Sequence, residues 1–272
     1  MGLRVNTNIA ALNASRVLRR STLDLNRSLE RLSSGLRINR AADDAAGLAI
    51  AEALRSEVLG SRVAQRNSQD GISLVQTAEG ALTETTNALQ RIRELSVQAA
   101  NGTNSGLNRT ALDAEVQKLL EQIDDIAVDT QFNGIFILST AVTITLQRGP
   151  EVSQTMQIAV SGAKTSDLGI STVTITSMAL AVSAISTIDV ALERVTSLRS
   201  TFGAKQNRLN FTIRSLAIQE ENSASSESVI RDADIAAETI SFTRNQILVS
   251  AGTSVLAQAN IIPQTALQLL GG

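Results

Sequence analysis

The stretch LDAEVQKLLEQIDDIAVDTQFNGIFILSTAVTITLQRGPEVSQTMQIAV, residues 112–160, changes its apolar period part-way along, and that change decides the fold class. Its first part sets Leu112, Val116, Leu119, Ile123 and Ile126 at steps of four and three, the repeat that keeps side chains on one seam of a helix. From Val142 the period falls to two. Val142, Ile144 and Leu146 alternate up to Arg148-Gly149-Pro150-Glu151, and Met156, Ile158 and Val160 alternate after it. The spacing predicts a β-hairpin closed by that turn, with Val173 and Ile175 adding a short third strand, inside a strand-patterned region of residues 138–177.

Outward from this region the helical period returns on both sides. Toward the N-terminus, NGTNSGLN (Asn101 to Asn108) reads as a turn. Before it, Leu54, Val58, Val75, Leu82, Leu89 and Ile92 mark the longest helix, which tolerates Gly60, Gly71 and Gly80 at a modest propensity cost. Toward the C-terminus, Ile188, Leu192, Val195, Phe202, Leu209, Ile213 and Leu216 fit one heptad frame with gaps at Arg199 and Gln206.

Two further helical arms lie at the extremities. Leu25, Leu29, Leu32 and Leu36 form a stripe in the first, which Ser33-Ser34-Gly35 interrupts; residues 37–44 form a connector, and Asp44 caps the next helix. The Ser-, Glu- and Asn-rich stretch Glu220 to Ser228 reads as a second connector. After it Asp232 and Asp234 suit a helix start, and Ile235, Ile240, Ile247, Ala251, Val255 and Ala259 carry the last arm. The expected fold is mainly α: long antiparallel helices forming a terminal coiled coil and a rod-like helical bundle, with a small β-hairpin region in the middle.

Composition excludes several function classes. The 272 residues contain no His, Cys, Trp or Tyr and five Phe, so the commonest catalytic and metal-binding side chains are missing, and neither enzyme activity nor a cofactor is expected. Lys plus Arg number 24 against 26 Asp plus Glu, without long blocks of either sign, which argues against a nucleic-acid partner. No apolar run is long enough to insert in a membrane, and the N-terminus shows no secretory h-region.

The quoted patterns carry a resemblance. NTNIAALNASRVL, LERLSSGLRINRAADDAAGLAIAE and NSQDGISLVQTAEGALTE resemble the N-terminal region of bacterial flagellins, and LQRIRELSVQAANGTNS, TQFNG, GAKQNRLN, IRDADIAAET and AGTSVLAQAN resemble flagellin segments in the family's order. The resemblance covers residues 3–137 and 185–268. It implies a short flagellin with a minimal variable domain, polymerising with many copies of itself into the hollow filament used for swimming. It also implies residues 1–45 as N-terminal arm and hinge, residues 46–222 as rod domain (helices about 46–100, 110–129 and 180–222), and residues 223–272 as hinge and C-terminal arm. Secretion through the flagellum-specific type III export channel, with a cap, hook-associated proteins and an export chaperone as partners, follows from the same likeness. The alternatives are a hook-associated or junction protein and a secreted adhesin or immune ligand acting as a monomer.

Named positions carry narrower expectations. Gln90, Arg91 and Leu95 on one helix and Glu115 on the next share a surface, and they match the flagellin motif implicated in recognition by the host Toll-like flagellin receptor; packing and contacts between subunits are the expected native role. Asn260, Gln264 and Gln268 form an uncharged polar strip that suits the lining of a water-filled channel. Asp43 and Asp44 are adjacent acids better read as capping residues than as a catalytic pair. Asp124 and Asp125 belong to the wet face of a helix.

Overall fold

The computed structural model describes residues 7–270, except the side chains of residues 262–264 and 266–270. The described chain contains α1 (Ile9–Ser34), α2 (Ala45–Ala100), α3 (Gly106–Asp129), β1 (Gln131–Phe132), β2 (Ile135–Phe136), β3 (Val142–Gln147), β4 (Thr155–Val160), α4 (Thr165–Leu168), α5 (Met178–Arg231) and α6 (Ile235–Leu270). They fall into two compact units, one of residues 1–56 and 222–272 and the other of residues 57–221.

The second unit holds the main apolar core. Val75, Leu82, Leu89 and Ile92 of α2, Val116, Leu120 and Ile123 of α3, and Ile188, Val195, Phe202 and Leu209 of α5 are buried together, as their heptad spacing requires. The β3–β4 register pairs Val142 with Val160, Ile144 with Ile158 and Leu146 with Met156, so the residues that alternate in the sequence oppose one another across the ladder. Gly60 and Gly71 of α2 let this hairpin approach. A Cβ on Gly60 would lie 2.8 Å from Pro150 Cβ, and one on Gly71 would run into a Leu146 methyl. Gly80 faces open space and serves no such purpose.

Two elements of this unit differ from expectation. Val173 and Ile175 are buried but form no strand: Asp113 Oδ1 accepts from the Ile175 N–H at 2.7 Å and the Gln117 amide donates to the Val173 carbonyl at 3.0 Å, so α3 side chains replace a ladder partner. TQFNG folds as the small β1–β2 hairpin, with Asn133 (φ 51) and Gly134 (φ 78) in the left-handed region that Asn and Gly best tolerate.

In the first unit, α1 ends at Gly35, whose φ of 73 and N–H bond to the Arg31 carbonyl make a left-handed cap. The expected connector at Glu220 to Ser228 is instead helical. That segment contains no Gly or Pro, and Glu227 pairs with Arg231 at 3.9 Å; the chain turns only at residues 232–234, where Asp234 Oδ1 accepts from the N–H groups of Ala236 and Ala237. The real connectors bond to each other: Leu36 bridges Asp232, the Arg37 N–H reaches the Arg231 carbonyl at 2.6 Å, and the Ala233 N–H reaches the Gly35 carbonyl at 2.9 Å. Ile38 is buried beside Gly47, where a Cβ would crowd its methyl at 2.9 Å. Asp44 accepts from the Gly47 N–H at 2.8 Å and caps α2. Asp43 accepts from the N–H groups of Arg40 and Asn39, and those bonds, the Arg40 one foremost, hold its carboxyl below the usual range.

Candidate assembly surface

The terminal helices α1 and α6 pair through a seam of small and polar residues. On α1 the inward positions are Leu18, Ser21, Leu25, Ser28 and Leu32, at steps of three and four, with Ser21 and Ser28 the most buried. On α6 they are Phe242, Asn245, Val249, Gly252, Leu256 and Ala259, at the same steps. Small side chains allow the backbones to come close, and Gly252 sits against Leu18, where a Cβ would lie 3.2 Å away. Asn8 caps α1 by accepting from the Ala11 N–H and ties the pair by donating to the Ala259 carbonyl at 2.7 Å. Arg31 meets Glu238 at 3.5 Å toward the other end.

The large apolar residues point the other way. Ile240 and Ile247 are 62% and 63% exposed, and Ile235, Leu248, Val255 and Ile261 of α6 and Leu12, Val17 and Leu23 of α1 are also exposed. The sequence stripe Ile235, Ile240, Ile247, Val255 therefore does not face α1, and only Ala259 of that set is buried. A shallow apolar depression of about 420 Å³ between Ile240, Arg244, Ile247 and Leu248 adds to this face. So much uncovered aliphatic surface on consecutive turns marks a surface for association.

The positions singled out in the sequence separate. Arg91 bonds Glu115 at 2.9 Å and Glu94 at 3.1 Å, and these bonds, the Glu115 one first, raise its pKa further above its usual value. Gln90 is exposed on the same helix. Leu95 is 1% exposed and belongs to the core, so the surface presents Gln90, Arg91 and Glu115 without it. Asn260 is exposed on α6, whereas the side chains of Gln264 and Gln268 lie outside the described residues. Asp124 is not solvated: its carboxylate accepts from the backbone N–H of the buried Thr165 at 2.8 Å and from its hydroxyl at 3.0 and 2.8 Å, which the sequence gave no signal of. Among the described residues there is no group of acidic side chains arranged to hold a metal ion, and no helix is long and apolar enough to cross a membrane.

Residues 5–143 match the family model of the bacterial flagellin N-terminal helical region, and residues 185–270 match that of the C-terminal helical region. The chain belongs to the bacterial flagellin family. It is 46% identical over 269 residues to the flagellin of Halalkalibacterium halodurans, covering 98% of this chain and 99% of that one. It is 40% identical over 283 residues to the flagellar filament 31.3 kDa core protein of Treponema maltophilum, again covering 98% and 99%. A solved structure described as a flagellar hook-associated protein from Vibrio parahaemolyticus aligns with a TM-score of 0.59 over 70% of this chain and 99% of that one; at 13% identity the likeness is one of fold alone. Near-complete overlap with relatives of similar length makes this a short flagellin, in which the β3–β4 hairpin and its flanks stand between the two conserved-model regions.

Proposed function

We propose that the chain is the structural subunit of a bacterial flagellar filament, secreted and polymerised outside the cell. The observation that carries this reading is the outward aliphatic face of the α1–α6 pair: two helices whose mutual seam is small and polar leave their largest apolar residues for other copies to cover. A face that contacts a different patch on the next subunit propagates as an open helix instead of closing. Family membership and the printed name of the Treponema maltophilum relative support the same reading.

The finer assignments belong to the same proposal. The terminal arms form the inner layer of a hollow filament and residues 46–222 the layer around it, with Asn260, Gln264 and Gln268 lining the channel. Export in an unfolded state, growth beneath a distal cap, hook-associated proteins at the base and an export chaperone follow from the family. Gln90, Arg91 and Glu115 form a contact between subunits that a host Toll-like flagellin receptor meets only on the free monomer. The subunit performs its role mechanically, without a cofactor.

Incubating the purified chain with short, sheared filament seeds and imaging the product tests the proposal. Seeds that lengthen support it. Purified chains that stay monomeric with seeds at high concentration refute it, and point to a junction protein or a free ligand.

A further inference from the structure

A second surface, in the unit of residues 57–221, carries charge with nothing to balance it. The β3–β4 turn and α5 enclose a groove of about 380 Å³ lined by Arg148, Gln154, Arg208, Phe211, Ser215 and Gln219. Arg208 has no side-chain hydrogen bond or ion pair among the described residues. Arg148 uses Nε on the Thr155 carbonyl at 3.2 Å, Lys205 donates to the Gln157 carbonyl at 3.0 Å, and Arg214 lies 4.6 Å over the Phe211 ring. None of the four cations meets a carboxylate, although Glu151 stands on the same turn. Phe211 is 66% exposed, an uncommon place for one of only five aromatic residues, and Ile218, two turns along α5, is exposed beside it. An aromatic under an arginine in a cationic groove has the composition of an interface anchor.

The same unit carries the complement. Glu121, Asp125 and Asp129 follow one another at four-residue steps on the outer face of α3, and all are exposed. Glu121 pairs with Lys118 at 2.6 Å, while Asp125 and Asp129 have no ion pair among the described residues. Val128 and, on the β1–β2 hairpin, Ile135 and Phe136 are exposed next in sequence to this acidic row. One surface offers cations around an aromatic; the other offers carboxylates around aliphatic and aromatic side chains.

The geometry points to a contact between copies, in which the groove of Arg208 and Phe211 receives the α3 stripe of Asp125 and Asp129 and the β1–β2 hairpin of a second chain. The contact rests on the filament reading and deepens it by naming the opposed surfaces. It is heterologous, so each copy uses both halves at once and the series continues without closing. Opposite charges fix the register, and the apolar residues supply the buried area.

The natural chain has no cysteine, so introduced thiols are unambiguous. A chain carrying Ser215→Cys and a second carrying Asp125→Cys, co-assembled on seeds and oxidised, should give a cross-linked dimer in filaments and none in the unassembled mixture. Separately, Arg208→Glu or Asp125→Lys alone should raise the critical concentration for assembly about three- to tenfold, less at high salt. A chain carrying both reversals should return to within about twofold of the parent, because each opposed pair is restored with its signs exchanged. Filaments that form normally yet give no cross-link and no rescue overturn this contact and leave the filament reading standing. Failure of the parent chain itself to extend seeds overturns both.

Discussion

Gly60 and Gly80 lie on the same helix, and replacing each with Ala should move stability in opposite directions. Ala in place of a helical Gly gains about 0.5–1 kcal/mol from lost unfolded-state freedom and better helix propensity. At Gly80 the new methyl meets nothing within 4 Å, so the gain is kept in full. At Gly60 the methyl would stand 2.8 Å from Pro150 Cβ and 3.3 Å from its Cα. A proline ring cannot rotate out of the way, so the hairpin turn must shift, at an overpacking cost of about 1–3 kcal/mol. The propensity gain cancels between the two variants, which leaves the overpacking cost as their difference: about 1–3 kcal/mol, or about 2–12 °C in Tm for a unit of this size. Urea and thermal unfolding of the full-length monomer, followed by far-UV circular dichroism, measures it. Adding Pro150→Gly to Gly60→Ala removes the obstructing Cβ, and a double-mutant cycle should show coupling of the same size. Equal stabilisation by both Gly→Ala changes would refute the close docking of the hairpin on α2.

Three other outcomes follow from single contacts. Asp124→Ala strands a buried N–H and hydroxyl of Thr165 and should destabilise the monomer by about 2–3 kcal/mol in urea unfolding, while Asp125→Ala on the neighbouring exposed position should change little. Leu95→Ala should cost about 2–5 kcal/mol because the side chain is in the core, whereas Gln90→Ala should be near neutral, so receptor assays on position 95 report folding as well as contact. Glu220 has its pKa lowered by the hydrogen bond from Arg62, so its contribution is present above the unfolded carboxyl value of about 4.3 and disappears as pH falls through the lower folded value. Glu220→Gln should therefore flatten the acid limb of the stability profile measured by unfolding at a series of pH values.

The sequence was most legible where a local period coincides with a local partner. The β3–β4 register could be read from Val142 to Val160 because both strands alternate and the turn between them fixes the pairing. The heptads of α3 and α5 named their buried residues for the same reason. Distant partners were not legible. Val173 and Ile175 have strand character, but Asp113 and Gln117, some sixty residues away, take up their backbone groups. The polar run at Glu220 to Ser228 looked like a loop by composition, yet its residues suit an exposed helix and nothing in it stops one. At α6 the apolar stripe was read correctly and its orientation was not. In a chain that folds alone such a stripe faces inward, and here the small seam of Gly252 and Ala259 takes that place because assembly supplies the cover.

That exchange of solvent for neighbours at the outward face is the central claim, and thiol accessibility at one position measures it most directly. With no native cysteine to compete, Ile247→Cys can be labelled with a maleimide in the monomer and in assembled filaments. The account predicts rapid labelling of the monomer and a drop of at least about tenfold in rate once the same chain is polymerised. Labelling at equal rates in well-formed filaments would contradict it, because the aliphatic face would then remain in water with no role in holding the polymer together.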